Sequence, residues 1–249
     1  MKYSLPLLIN SQLDKISTKK IQQMENNNGK IMIQTVSKSS LTPTNSFIIT
    51  SSAGTTIVAD PTSMPTPKEL DLHPNAITIT HTHSDHNDPK FTEQLNCKKS
   101  IATVESFDVN DIHIYSIASS HRGNSINQNT PNNVIYVYEV DGLRIVHMGD
   151  IGQDHLTIKQ IESLGKIDVA MMQFSNPFSG MFASDKGFIL IEELKPQIII
   201  PTHSNPRSTR KIAKMLGKLE VLENLLELRS EDLEDGIRKV IWLKNTLSY

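Results

Sequence analysis

Within one hexapeptide, His81-Thr82-His83-Ser84-Asp85-His86, the chain carries three imidazoles and a carboxylate. These are donor types that divalent transition-metal cations accept, zinc among them. The hexapeptide directly follows the run Ile77-Thr78-Ile79-Thr80, which reads as a buried strand. In extended backbone alternate side chains share a side, so His81 and His83 project together and can share one cation. Asp85 continues that alternation, while His86 turns away toward a helix starting near Pro89. The segment therefore offers two donors to one cation and two to a neighbour. A solvated polar loop is the plainer account, and three histidines with an aspartate closing an apolar strand argue against it.

One loop cannot complete two coordination shells. Three further donors stand just past apolar runs: His121 after 112–118, Asp150 after 143–148 through Gly149, and His203 after 198–202. In open α/β sheets the functional edge lies at the carboxyl ends of strands, so four strands are expected to deliver ligands to one edge. The remaining histidines read differently. His147 is out of phase with Asp150 and points away from the edge, His113 sits within a strand, and His73 lies in a turn before proline. His155 follows Asp150 by five residues, near the mouth of such a site, where it could donate a proton to a leaving group; a solvent-facing residue at a helix start is the simpler account.

The elements that must position these residues follow from periodicity. Residues 11–25 carry apolar residues at helical spacing and form an N-terminal arm or helix within residues 1–30. Short β-branched runs at 31–36, 46–50, 55–59, 75–80, 101–104 and 112–118 read as strands. The polar stretch 119–133 is a long loop of the kind often kept for function. Strands 134–140 and 143–148 flank Asp141-Gly142, a two-residue hairpin signal because both turn positions need positive φ. Helix 156–164, strand 167–172, helix 184–194, strand 197–200, a helix from about 206 and strand 240–243 complete the pattern. Strands with interleaved helices predict a layered α/β sandwich, with residues 31–249 as a single domain of two αβ halves.

The order His81-x-His83-x-Asp85-His86, His121, Gly149-Asp150, His203 resembles the metallo-β-lactamase fold superfamily. The stretch Leu143-Arg144-Ile145-Val146-His147-Met148-Gly149-Asp150-Ile151-Gly152 resembles the branch typified by L-ascorbate-6-phosphate lactonase. The resemblance implies a four-layer αββα sandwich. It also implies a metal-dependent hydrolase in which two divalent cations activate water to cleave a small ester, lactone or phosphoester. Zinc is the first expectation, with manganese or iron as substitutes. By position, His81, His83 and His121 would hold the first cation, Asp85, His86 and His203 the second, and Asp150 would bridge them. Asp85 would also be the catalytic carboxylate. Asp60, in Val58-Ala59-Asp60-Pro61, would orient the histidine loop, although an Asp-Pro turn accounts for it equally well. Cys97 does not stand at the ligand position that some β-lactamases of this fold fill with cysteine; Asp150 stands there, which disfavours antibiotic hydrolysis.

The substrate is less legible. Arg122, His155, Phe182 and Arg207 are candidates to contact it. Arg207 would open the helix after His203, where a helix N-terminus favours an anion, although a solvated basic face explains the same charges. The loop Asn176-Pro177-Phe178-Ser179-Gly180-Met181-Phe182 departs from the Pro-x-Gly-Gly-x-Thr-like stretch common in the branch. Net charge is −2 over 249 residues, with 25 basic and 27 acidic, and no basic aromatic-rich stretch stands ready to grip a polymer. A small, anionic substrate is therefore expected over nucleic acid. A nuclease or phosphodiesterase of the same fold, and an iron-dependent oxidoreductase on the same scaffold, are the rival readings. One cysteine, no window of about 20 apolar residues and a short N-terminal apolar run broken at Pro6 lead to the expectation of a cytoplasmic protein without membrane association. Homo-oligomerisation is left open.

Overall fold

The computed structural model describes residues 29–37, 45–174 and 185–244. The expected N-terminal helix at 11–25 and the loop carrying Phe178, Met181 and Phe182 lie outside the described residues. The first half runs β1 (Ile31–Thr35), β2 (Phe47–Thr50), β3 (Thr56–Ala59), α1 (Pro67–Leu70), β4 (Ala76–Ile79), α2 (Pro89–Thr92) and β5 (Lys98–Ile101). Then come β6 (Ser106–Val109), β7 (Ile112–Ser119), β8 (Asn133–Val140), β9 (Leu143–His147), α3 (Ile158–Leu164), β10 (Val169–Gln173), α4 (Lys186–Leu194), β11 (Ile198–Thr202) and α5 (Pro206–Leu216). β12 (Lys218–Leu222), β13 (Leu225–Leu228) and β14 (Lys239–Leu243) follow.

Two sheets result, ordered β13-β1-β2-β3-β4-β5 and β12-β14-β11-β10-β9-β8-β7-β6. Strand alternation divides the apolar residues into three layers of core. Ile31, Ile33, Phe47, Ile49 and Ile57 of the first sheet meet Ile114, Tyr136, Tyr138, Ile145, Met171 and Ile200 of the second. Their neighbours one position away point outward. Ile135, Val137, Val146 and Ala170 pack under Leu164 of α3, Leu190 and Ile191 of α4, and Ile212 of α5. Ile48, Val58, Ile77 and Ile79 pack under Leu70 of α1 and Phe91 of α2. Each sheet is thus apolar on both faces, with helices outside and the other sheet inside, the αββα arrangement that the resemblance implies.

The buried tyrosine hydroxyls in the central layer are satisfied across it, Tyr138 with Thr78 at 2.6 Å and Tyr136 with Ser100 at 2.8 Å. The Asp141-Gly142 hairpin has the expected left-handed pair, φ 49° and 76°. Direction positions the site. β3, β4 and β5 run parallel to one another, as do β9, β10, β11 and β14. β7 is antiparallel to β8, which is antiparallel to β9. The carboxyl ends of β7, β9 and β11 therefore share one edge.

Candidate metal centre

Five strand ends supply the polar residues at that edge: Asp60 after β3, Thr80 and His81 after β4, His121 after β7, Gly149-Asp150 after β9 and His203 after β11. Asp60, His203 and Gly149 each have positive φ, at 47°, 47° and 56°, so the chain swings sharply as it leaves the strand. The histidine loop departs from simple alternation. The backbone N–H groups of His86 and Asn87 both donate to the carbonyl of His83, at 3.0 and 2.9 Å. The chain therefore turns at His83 rather than after Asp85. Asp85 does not continue the face of His81 and His83; it leaves with His86.

That turn sorts the donors into two groups. Donor atoms of His81, His83 and His121 lie within 4.8 Å of one another, as do those of Asp85, His86, Asp150 and His203. Asp150 faces both groups. Its Oδ1 lies 2.8 Å from His203 Nε2 and 3.2 Å from His86 Nε2, and its Oδ2 lies 3.4 Å from His121 Nε2 and 3.8 Å from His81 Nε2. Asp85 Oδ2 stands 4.0 Å from His86 Nε2 and is half exposed, whereas His86 and Asp150 are buried.

Asp60 is fully buried at 0 % exposure. One oxygen accepts the backbone N–H of Thr80 at 2.6 Å. The other accepts the Thr80 hydroxyl and His86 Nδ1–H, both at 2.6 Å. The His86 proton is thereby held at Nδ1, leaving Nε2 aimed into the second group. This is more than an Asp-Pro turn would require.

The donors suit a cation on two observations. His81 Nε2 and His121 Nε2 are buried and make no hydrogen bond among the described residues, a costly arrangement unless something accepts their lone pairs. His86 Nε2 and His203 Nε2 face each other at 3.0 Å, and tetrahedral coordination at about 2.0–2.1 Å would set neighbouring donors about 3.3 Å apart. Protonation points the same way. Burial, reinforced by the charge on His86, lowers the His81 imidazole to about 3, so it is a neutral donor. Burial also works against a charged His86, yet Asp60 and Asp150 push it up to about 10. Burial would raise the Asp150 carboxyl, but the imidazoles of His121, His203 and His86 gathered around it hold it far below the usual carboxylate range. The cluster thus keeps a positive charge between two carboxylates, a charge that a bound cation can supply instead.

A family model for the beta-lactamase superfamily domain matches residues 41–203, from before β2 to the last of these histidines. The chain belongs to the beta-lactamase superfamily. It is 24 % identical over 174 residues to a UPF0173 metal-dependent hydrolase of Thermococcus onnurineus, covering 60 % of this chain and 74 % of that protein. Among solved structures it is similar to a protein of Thermotoga maritima assigned as a Zn-dependent hydrolase of the metallo-beta-lactamase superfamily, with TM-score 0.64, 21 % identity and coverage of 86 % and 98 % of the two chains. It is also similar to CmlA, a diiron beta-hydroxylase from Streptomyces venezuelae, with TM-score 0.50, 10 % identity and coverage of 80 % and 54 %. At these identities the likeness to solved structures is one of fold.

In this superfamily member the described residues among those expected to meet the substrate, Arg122, His155 and Arg207, are all exposed. His155 is exposed, and its Nδ1 pairs with Glu193 of α4 at 2.7 Å. Arg122 is exposed beside His121, and Arg207 is exposed in the first turn of α5. The N-terminal donors expected to attract an anion there are already used, since Asn205 accepts from the backbone N–H groups of Arg207 and Ser208 at 2.9 and 3.0 Å. Phe182 lies outside the described residues. A cleft of about 690 Å³ opens at the other end of the second sheet, lined in part by Asp141, Arg144, Lys166, Asp168 and Gln197. It holds none of the converging donors, which gather at the histidine edge.

Sequence reasoning missed a pair of asparagine amides, Asn132 exposed and Asn133 buried. His121 N–H donates to Asn132 Oδ1 at 2.9 Å, and Asp150 N–H donates to Asn133 Oδ1 at 2.9 Å. Asn133 Nδ2 returns a bond to the Met148 carbonyl at 3.0 Å. Adjacent asparagines closing the polar loop thus hold two distant donors. Their signal was their place, directly before an apolar strand.

Proposed function

We propose that this metal-dependent hydrolase works through a dinuclear centre, with His81, His83 and His121 on one cation, Asp85, His86 and His203 on the other, and Asp150 between them. The substrate class we propose is a small anionic ester, lactone or phosphoester, as in the lactonase-like branch that 143–152 resembles. The observation that carries this reading is the position of Asp150, whose two oxygens face two separate donor groups. Two cations bound there would lower the pKa of water and stabilise charge developing on a substrate oxygen.

The chain's own residues do the rest. Asp85 is the half-exposed carboxylate of the set, so it can accept a proton from attacking water while touching solvent and substrate. Asp60 fixes the His86 ring and Thr80 fixes Asp60, so the donor set is rigid before substrate arrives. Arg122, His155, Arg207 and Phe182 remain the residues proposed to meet the substrate, with Arg122 and Arg207 supplying positive charge for its anionic group. Residues 31–249 are proposed to act as one unit in the cytoplasm, with zinc as the resident metal.

The likeness of fold to a diiron hydroxylase keeps an oxidative reading in view. Metal analysis separates the two. Two zinc or manganese ions per chain, with turnover on a panel of lactones, phosphomonoesters, phosphodiesters and short RNA, support hydrolysis; iron with oxygen consumption would sink it. Turnover confined to phosphodiesters or RNA would move the substrate to the nuclease class.

A further inference from the structure

Three of the donor-bearing loops are joined through one residue that belongs to neither donor group, two of them by its side chain and the third by its backbone carbonyl. Asn45 is 3 % exposed, ahead of β2, and its amide is used at both ends. Asn45 Nδ2 donates to the carbonyl of Asp85 at 3.2 Å. Asn45 Oδ1 accepts the backbone N–H of His203 at 3.2 Å. The two requirements fix the amide's orientation, because only one flip state donates toward Asp85 and accepts from His203.

Its backbone carbonyl extends the chain of bonds. His147 Nε2–H donates to the Asn45 carbonyl at 3.2 Å, and His147 Nδ1 accepts the N–H of Gly149 at 3.0 Å. The Gly149 bond identifies the tautomer, since a ring nitrogen that accepts leaves the other to donate. His147 is 0 % exposed and packs edge-on against Phe47 of β2 with centroids 5.5 Å apart. One continuous path therefore joins the loop of Asp85, the end of β11 at His203 and the turn of Asp150.

All three residues so joined belong to the second donor group, and Asn45 makes no bond of its own to His81, His83 or His121. We infer that Asn45, continued by His147, is a positioning strap that sets the geometry of the second cation site selectively, leaving the first site to Asn132, which holds His121, and to Thr80, whose hydroxyl also lies 3.2 Å from His81 Nδ1. This rests on the dinuclear reading above. The reasoning is that of any support behind a coordination shell. The donors Asp85, His203 and Asp150 come from segments far apart in sequence, so their spacing is only as definite as the bonds between those segments.

Cobalt(II) is a suitable probe, because its visible absorption reports each bound equivalent and the geometry around it. Metal-free protein titrated with cobalt is expected to take up two equivalents. In Asn45→Ala, which keeps the backbone carbonyl for His147, the first equivalent should bind as before. The second should bind about 10–100-fold more weakly, with a changed spectrum. Asn45→Ser, whose small polar side chain spares the pocket, provides the same comparison should the alanine variant fold poorly, and thermal unfolding of the metal-free proteins identifies a folding defect. Equal weakening of both equivalents, or no weakening of the second, would overturn the strap. Wild-type protein that binds fewer than two equivalents would overturn the dinuclear reading itself, and the strap with it.

Discussion

Asp85 and Asp60 are both carboxylates of the same edge, and their surroundings give them opposite work. Asp85 is half exposed, with Oδ2 4.0 Å from His86 Nε2, so it can trade a proton with solvent. Asp85→Asn keeps an oxygen donor but loses the basicity. It should retain most bound metal while turnover falls by about 10²–10⁴-fold, read by metal content beside steady-state rate; unchanged turnover would remove Asp85 from the chemistry. Asp60 touches no solvent. Burial alone would raise its carboxyl, but the imidazoles of His147 and His86 and the hydrogen bonds from His86 and Thr80 hold it below its ordinary value. A carboxyl depressed in the folded state contributes stability that is present above the unfolded pKa of about 3.9 and lost as pH falls through the folded value. In metal-free protein, Asp60→Asn should therefore shrink the drop in urea midpoint between pH 6 and pH 3, and an unchanged drop would contradict the assignment.

At the scale of elements, the donors were legible because strand ends in this fold mark themselves: an apolar run stops and a histidine or aspartate follows, as at 77–81 and 198–203. The supports were not legible in the same way. Asn45, Asn132 and Asn133 are residues that loops carry by default, and only the folded chain shows which amide reaches which backbone. α1, β6, β12 and β13 also escaped. α1 is a single capped turn, with Thr66 and Glu69 closing a reciprocal pair of bonds. β6 and β12 are sheet-edge strands whose burial alternates around polar residues. Gly149 is the element whose identity the structure makes necessary. Its φ is 56°, and a Cβ there would collide with Asn133 Oδ1 and lie 2.7 Å from Thr80 Cβ. Gly149→Ala should cost about 2–5 kcal/mol, the sum of a left-handed backbone and an overpacked contact. It should also displace Asp150, so a lower urea midpoint and weaker metal uptake are expected together. A stable variant with full metal uptake would mean that the turn can relax.

At the scale of the whole molecule, the two sheets are pinned together at the polar edge as well as through their apolar faces. His86 comes from the first half and His203 from the second, 117 residues apart, with Nε2 atoms at 3.0 Å. A cation held between them would bind the folded chain and not the unfolded one. Its removal should therefore lower the melting temperature, and the difference should grow with free metal concentration, amounting to about 2.7 kcal/mol at a hundred times the dissociation constant. Equal melting curves with and without chelator would show that the halves hold without it.

The pairing of β1 with β13 sets a different constraint. Ile31 lies opposite Leu228, and at about 5–20 residues per second the ribosome needs on the order of 10–40 s to make the chain between them. Throughout that time β1 has one flank without its partner, carrying Ile31 and Ile33 at a sheet edge open to pairing with another nascent chain. Closing so long a loop also slows folding once synthesis is done. In a cell this protein's yield would depend on chaperone protection during translation, before any metal could stabilise it.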